Sequence, residues 1–266
     1  MAHYNTIPGA GITYDAQGRP VTAGRAKAKS LVVSLRIQAV VSVLAAATVV
    51  FISLSLIGSF IKYTLHYDSV YGFIPQFNLD TEGNIPTFFA ALLLMASGFL
   101  FLLIALYKRS VKDAFVQQWF LLACMFMYMA VDEACEIHGL VMRPLNEFYS
   151  FSGAFHFSWV IPGMAVIFVV LVYFARFFFA LNNTFKARFM APAIVYMCGL
   201  IGMEMISGAY ASMHGEANIT YEVLTTLEEA LEMAGLVLLI RALLLYIQAN
   251  ISDISFKLPA QPDTQI

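Results

Sequence analysis

Residues 86–107 read PTFFAALLLMASGFLFLLIALY, a run without one charged side chain. A helix of about 20 apolar residues crosses the roughly 30 Å of hydrocarbon in a bilayer, so this stretch alone predicts a membrane span. Pro86 suits the first helical turn, where its missing N–H would be unpaired anyway, and Tyr107 suits the polar edge of the membrane. Moving outward, similar windows fall at Arg36–Ile61, Val116–Ile137, Trp159–Leu181, Met190–Tyr210 and Thr225–Ile247. The expected fold is therefore all-α, a polytopic membrane helix bundle with six transmembrane helices. Composition agrees: of 266 residues 60% are hydrophobic and 12% charged, with a mean hydropathy of +0.76. So few charges cannot coat a water-facing globule of this size, which excludes a soluble single-core domain.

The ends and loops set the orientation. Every Lys and Arg except Lys62 and Arg143 falls on the side that an even number of spans gives to both termini. Cytoplasmic loops carry the excess of positive charge, so both termini are expected in the cytoplasm. Residues 1–30 have no apolar core and read as a cytoplasmic tail, not a secretory signal. Residues 31–247 form the transmembrane domain and 248–266 a second cytoplasmic tail. A net charge of −2 gives no general attraction to nucleic acid. Cys124, Cys135 and Cys198 lie in apolar runs without CxxC spacing, and are expected to be free and to act as small core residues. Gly98, Gly163, Gly199, Gly202 and Gly208 lie inside spans, where small residues let helices approach closely.

The same topology sends most acids, and His66, His138, His156 and His214, to the outer half of the bundle. Loop position accounts for Asp68, Glu147 and Glu216. It does not account for acids within spans, which cost about 2.5–3.5 kcal/mol near a helix centre and so turn toward a bundle interior. Asp132, Glu133 and Glu136 share an arc at the C-terminal end of the third span, where the helix dipole disfavours negative charge. His138 joins that arc only if the helix breaks near Gly139. In the sixth span Thr225-x-x-Glu228 and Thr226-x-x-Glu229 read as capping boxes, whereas Glu232 runs a turn deeper and no cap accounts for it. Glu204 sits inside the fifth span and needs a partner or a proton. The segments 132–141 and 228–237 match at six of ten positions, which reads as convergence on one layer because an inverted repeat would place them on opposite faces.

Carboxylates and histidines projecting from several helices are the ingredients of a metal centre. Asp132, Glu133, Glu136, His138, Glu204, Glu229 and Glu232 are the candidate ligands, and hard oxygen donors suit a divalent metal, Fe or Mn more than Cu. The Glu-x-x-His element of the di-iron template is missing, as are HExxH, GxSxG, P-loop and GxGxxG motifs. Met125, Met127, Met129, Met203 and Met205 read as core filling, not as a copper path. The expected role is an integral membrane protein that serves a larger membrane complex as a subunit or accessory protein. Alternatives on the same residues are a membrane-embedded metal-dependent oxidoreductase or hydrolase, or proton or cation transport. Expected partners are the lipid bilayer and membrane-complex subunits.

Phe77-Asn-Leu-Asp-Thr-Glu-Gly-Asn-Ile-Pro-Thr87, Asp132-Glu133 with Ile137-His138, Trp159, and Glu232-Met-Ala-Gly235 resemble, in this order, a family of uncharacterised bacterial multi-pass membrane proteins. The resemblance covers about residues 40–247 and implies a six-helix protein of the bacterial inner (cytoplasmic) membrane. It implies no activity. Family members carry an acid after the histidine, where this chain has Gly139. The resemblance also makes Asn78, Asp80, Glu82, Asn84 and Pro86 candidates for a lid over the acidic mouth.

Overall fold

The computed structural model describes residues 13–14, 20–21, 36–140 and 151–251. His3, Arg143, Glu147, Lys257 and nearly all of the two expected tails lie outside the described residues. The chain divides into two compact units, Met1–Leu35 and Arg36–Ile266. In the first, β1 (Thr13–Tyr14) pairs antiparallel with β2 (Pro20–Val21), with Thr13 opposite Val21.

The second unit is helical throughout its described residues. It contains α1 (Ile37–Thr64), a short α2 (Phe73–Phe77), α3 (Ile85–Ser110), α4 (Val116–Cys135) and α5 (Val160–Ala180). Next come α6 (Asn183–Met197), a π-helical turn (Cys198–Met203), α7 (Glu204–His214) and α8 (Ile219–Asn250). Five stretches are long and apolar enough to cross a membrane: α1, α3, α5, the continuous Asn183–His214 and α8. By these helices the chain is a multi-pass membrane protein. The expected third span, α4, is a helix of 20 residues, but Gln117, Gln118, Asp132 and Glu133 dilute its apolar content.

Two helices begin earlier than hydropathy placed them. The fifth expected span starts at Asn183, because the Asn182 side chain accepts the Thr184 N–H and caps a helix whose first turns carry Lys186 and Arg188. The last starts at Ile219, where Asn218 Oδ1 accepts the Tyr221 N–H at 3.0 Å. The Thr225–Glu228 capping box is thereby corrected: Thr225 lies within the helix, and its hydroxyl donates back to the Tyr221 and Glu222 carbonyls.

The long helix α8 is the axis, packed against α1, α3, α6, the π turn and α7. Its Met233, Leu236, Val237 and Ile240 form one buried core with Leu93 and Leu94 of α3, and its Leu243 and Tyr246 form another with Phe101, Trp119 and Phe177. Between membrane helices water exclusion drives little, so small side chains and polar clips decide the crossings. A Cβ on Gly235 would lie 2.8 Å from the Tyr196 backbone nitrogen, which makes α6 and α8 meet backbone to backbone. Gly199 is equally tight against the Glu228 carbonyl, whereas Gly202 has open space, contrary to the expectation for it. Along α1 the inward side chains are small and polar: Ser55 meets Thr226 at 3.3 Å, and Ser59 Oγ donates to Glu222 Oε2 at 3.3 Å. The three cysteines are free, as expected, but exposed and not in the core.

The loop between α2 and α3 is built as a fixed cap. Asn84 Nδ2 donates to the Asn78 and Thr81 carbonyls at 2.6 and 2.7 Å, while its Oδ1 accepts the Thr87 N–H and caps α3. The Leu79 N–H donates to Ser55 Oγ, and the Leu79 side chain joins the core. Asn78, Asn84 and Pro86 therefore hold the loop in place, and the lid reading is corrected for these three.

Candidate functional site

The acidic end of α4 is organised by a backbone reversal. Glu136 takes a left-handed conformation (φ 53°) as the C-cap, and helical backbone resumes at 137–140. The break comes three residues before Gly139, and its effect is the one anticipated, because His138 folds back over Asp132. Asp132 Oδ1 accepts the His138 N–H at 2.8 Å, while Oδ2 lies 3.3 Å from Nδ1. On the other side His138 Nε2 is 3.3 Å from Glu82 Oε1, so the imidazole bridges two carboxylates. Glu136 itself turns out to the surface beneath Gly139.

The His138 ring centroid lies 6.2 Å from that of Trp159, whose Nε1–H donates to Glu204 Oε1 at 2.7 Å. Trp159, the first residue of an expected span, thus fixes a carboxyl of α7. Glu204 faces Glu228, which also accepts the Ser207 hydroxyl at 3.2 Å. Glu232, one turn along α8, faces the Tyr196 hydroxyl and lies in electrostatic range of Glu133, Glu204 and His138. Glu229 in turn senses Glu232, Glu133 and Glu82. Five carboxyls from α4, α7 and α8 thus share one region with His138, and Glu136, expected beside Glu133, turns away from it. Among the described residues no three His, Cys, Asp or Glu side chains are gathered around one point as a metal ion requires.

A second polar station lies nearby on α1 and α8, and sequence reasoning missed its centre. Glu222, assigned from sequence to the outer polar half, is 2% exposed and accepts from Lys62 Nζ at 2.7 Å and Tyr63 Oη at 3.1 Å. The available signal was Lys62, one of only two bases on the acidic side. Lys62, Glu222, Asp80 and Asn78 line a cavity of 510 Å³. Desolvation there, reinforced by the charges of Glu222 and Glu216, pushes the Asp80 carboxyl up from 3.8 to about 7.

The loop histidine provides a pH handle. The Glu82 hydrogen bond, outweighing burial, raises His138 from 6.5 to about 9. A raised histidine contributes stability in full below pH 6.5 and loses it as pH rises through 9. Asp80, raised likewise, weakens the fold between pH 3.8 and 7. Thermal melting in detergent is expected to fall between pH 6.5 and 9, and Glu82→Gln to flatten that decline. With the His138 side chain 37% exposed, screening limits the effect to a few tenths of a kcal/mol up to about 1. A wild-type profile with no decline in that window would remove His138 as the responsible group.

Comparison with known proteins gives a family and no activity. No curated protein and no solved structure matches the chain. The family whose sequence model does match covers residues 34–247, the whole helical bundle and most of the chain. The chain therefore belongs to the family described as Domain of unknown function (DUF8692).

Proposed function

We propose that this protein crosses the bacterial inner membrane six times with both termini in the cytoplasm, and serves a larger membrane complex as a subunit whose acidic cluster holds a divalent cation. The observation that carries the reading is the convergence of Glu133, Glu204, Glu228, Glu229 and Glu232 with His138 as the base set against them. Several carboxylates at bilayer depth cannot all keep a bare charge, and a bound cation relieves their desolvation and mutual repulsion. Oxygen donors with one imidazole suit Fe or Mn over Cu.

Metal analysis of the purified protein tests the reading, with Glu204→Gln as the informative variant. Gln keeps the shape and can still accept the Trp159 N–H, but it removes the charge that a divalent ion requires. The expected result is a folded variant with its metal lost. One arrangement favours a second reading, in which the cluster holds protons: Glu204 and Glu228 face each other and take neutral donors, Trp159 and Ser207, instead of surrounding a point. On that reading the wild type is metal-free and Glu204→Gln is nearly silent. Metal found at full occupancy in both proteins would remove Glu204 from the ligand set.

Orientation has its own measurement. The α3–α4 turn carries Lys108, Arg109 and Lys112, and the start of α6 carries Lys186 and Arg188, which the positive-inside rule places in the cytoplasm. In a background with Cys124, Cys135 and Cys198 replaced by Ser, single cysteines at the exposed Ser152 and Ala217 are expected to label from outside, and one at Asn183 from inside only. Outside labelling at Asn183 would reverse the assignment.

A further inference from the structure

At the end of the bundle remote from the acids, the last turn of α3, the start of α4, the α5–α6 turn and the end of α8 line a cavity of 240 Å³. Lys108 Nζ donates to Asp113 Oδ2 at 2.8 Å, with the two side chains only 17% and 25% exposed. Asp113 is fully engaged, since its Oδ1 accepts the Phe115 N–H at 2.8 Å. Lys108 keeps one N–H: an ammonium has three, and beyond Asp113 it donates to the Tyr246 hydroxyl and lies 5.9 Å from that ring. Asn182 uses its Oδ1 on the Thr184 N–H and keeps its amide hydrogens, while Asn250 donates to the Tyr246 carbonyl and keeps its Oδ1.

The cavity thus offers hydrogen-bond donors from Lys108 and Asn182, and an acceptor from Asn250. The ion pair in its wall leaves it without net charge. Its rim includes the exposed Ala180, which follows the exposed Phe179 on α5. The outward side of α5 carries the exposed Val166, Phe168, Val169 and Val172, a surface for acyl chains in a membrane protein. A molecule seated here has its polar part among paired charges and its apolar part against α5.

We infer that this cavity binds the headgroup of a zwitterionic phospholipid, the phosphate against Lys108 and Asn182 and the amine against the Asn250 Oδ1, with the acyl chains running along α5. An amide oxygen accepts from an ammonium group, and a neutral cavity disfavours a headgroup of net charge. Nothing in this site touches the acidic cluster, so it stands or falls separately from the cation reading.

The test is native mass spectrometry of the full-length, delipidated protein titrated with phosphatidylethanolamine or phosphatidylglycerol. The wild type is expected to retain one phosphatidylethanolamine with about a tenfold preference, the size of one charge-assisted contact. Ala180→Trp, which fills the rim without touching the ion pair, is expected to lose that lipid. Asp113→Asn leaves Lys108 unneutralised and is expected to shift the preference to phosphatidylglycerol. Equal uptake of the two lipids by the wild type would overturn the proposal, as would an Ala180→Trp protein that binds like wild type. Soluble glycerophosphoethanolamine at the same concentration is expected not to compete; if it displaces the lipid completely, the headgroup alone is the ligand and the lipid assignment fails. The wild-type preference is decisive even if a variant does not fold.

Discussion

Lys62→Met is expected to destabilise the folded bundle by about 3 kcal/mol, because it strands a carboxylate in the interior. Glu222 is 2% exposed, and among the described residues its one cationic partner is the Lys62 ammonium at 2.7 Å. Breaking a buried pair from the cationic side typically costs about 3–5 kcal/mol, and the low end applies because the Lys62 side chain is 30% exposed. The reverse change is milder. In Glu222→Gln the lysine can extend its flexible stem to water, Tyr63 still finds the amide oxygen, and Ser59 Oγ can accept from the amide nitrogen. The double variant Lys62→Met/Glu222→Gln removes the stranded charge and should recover more than half of the loss. Melting of the three variants in one detergent gives the order; if Lys62→Met melts with the wild type, Glu222 is not relying on that ammonium.

Gly235→Val is expected to cost about 3 kcal/mol, at the upper end for overpacking, because the clash is with main chain. A Cβ here would lie 2.8 Å from the Tyr196 Cβ and nitrogen and 2.9 Å from its Cα, so no flexible side chain can swing aside. The helices α6 and α8 must separate, and the Gly199 contact on Glu228 and Glu232 loosens with them. Gly202→Val supplies the control, with nothing within 4 Å of its added carbon. A melting temperature lowered in the first variant and unchanged in the second is the expected pattern. Equal melting of the two would show that the α6–α8 crossing tolerates separation.

The membrane helices were legible because a charge-free run such as residues 86–107 has few other uses. Their ends were less so. Hydropathy cannot see that Asn182 and Asn218 cap helices whose first turns are polar, since a helix may continue past the membrane into water. The membership of the acid cluster was readable for Asp132, Glu133, His138, Glu204, Glu229 and Glu232, each placed where the bilayer would penalise an unpartnered acid or where a helix break could bring it in. Glu136 was misjudged because 100° spacing presumes an unbroken helix, and the helix ends on Glu136 itself. Glu228 was misjudged with the helix start: displaced from the cap, it becomes a buried partner of Ser207. Glu222 went unnoticed for a different reason. Pairing between Lys62 and a residue 160 positions later is tertiary information, and no local pattern encodes it.

The π turn at Cys198–Met203 divides the Asn183–His214 stretch into two segments whose faces are out of phase. The first is seated on α8 through Tyr196 and Gly235, while the second turns Glu204 toward Trp159 and packs by α7 on the Gly153–Phe155 turn. A single continuous α-helix could not aim both surfaces this way, since one surplus residue shifts everything after it by about 100°. The surplus residue therefore lets one span serve two faces, its first segment seated on α8 and its second presenting the Glu204 carboxyl to Trp159.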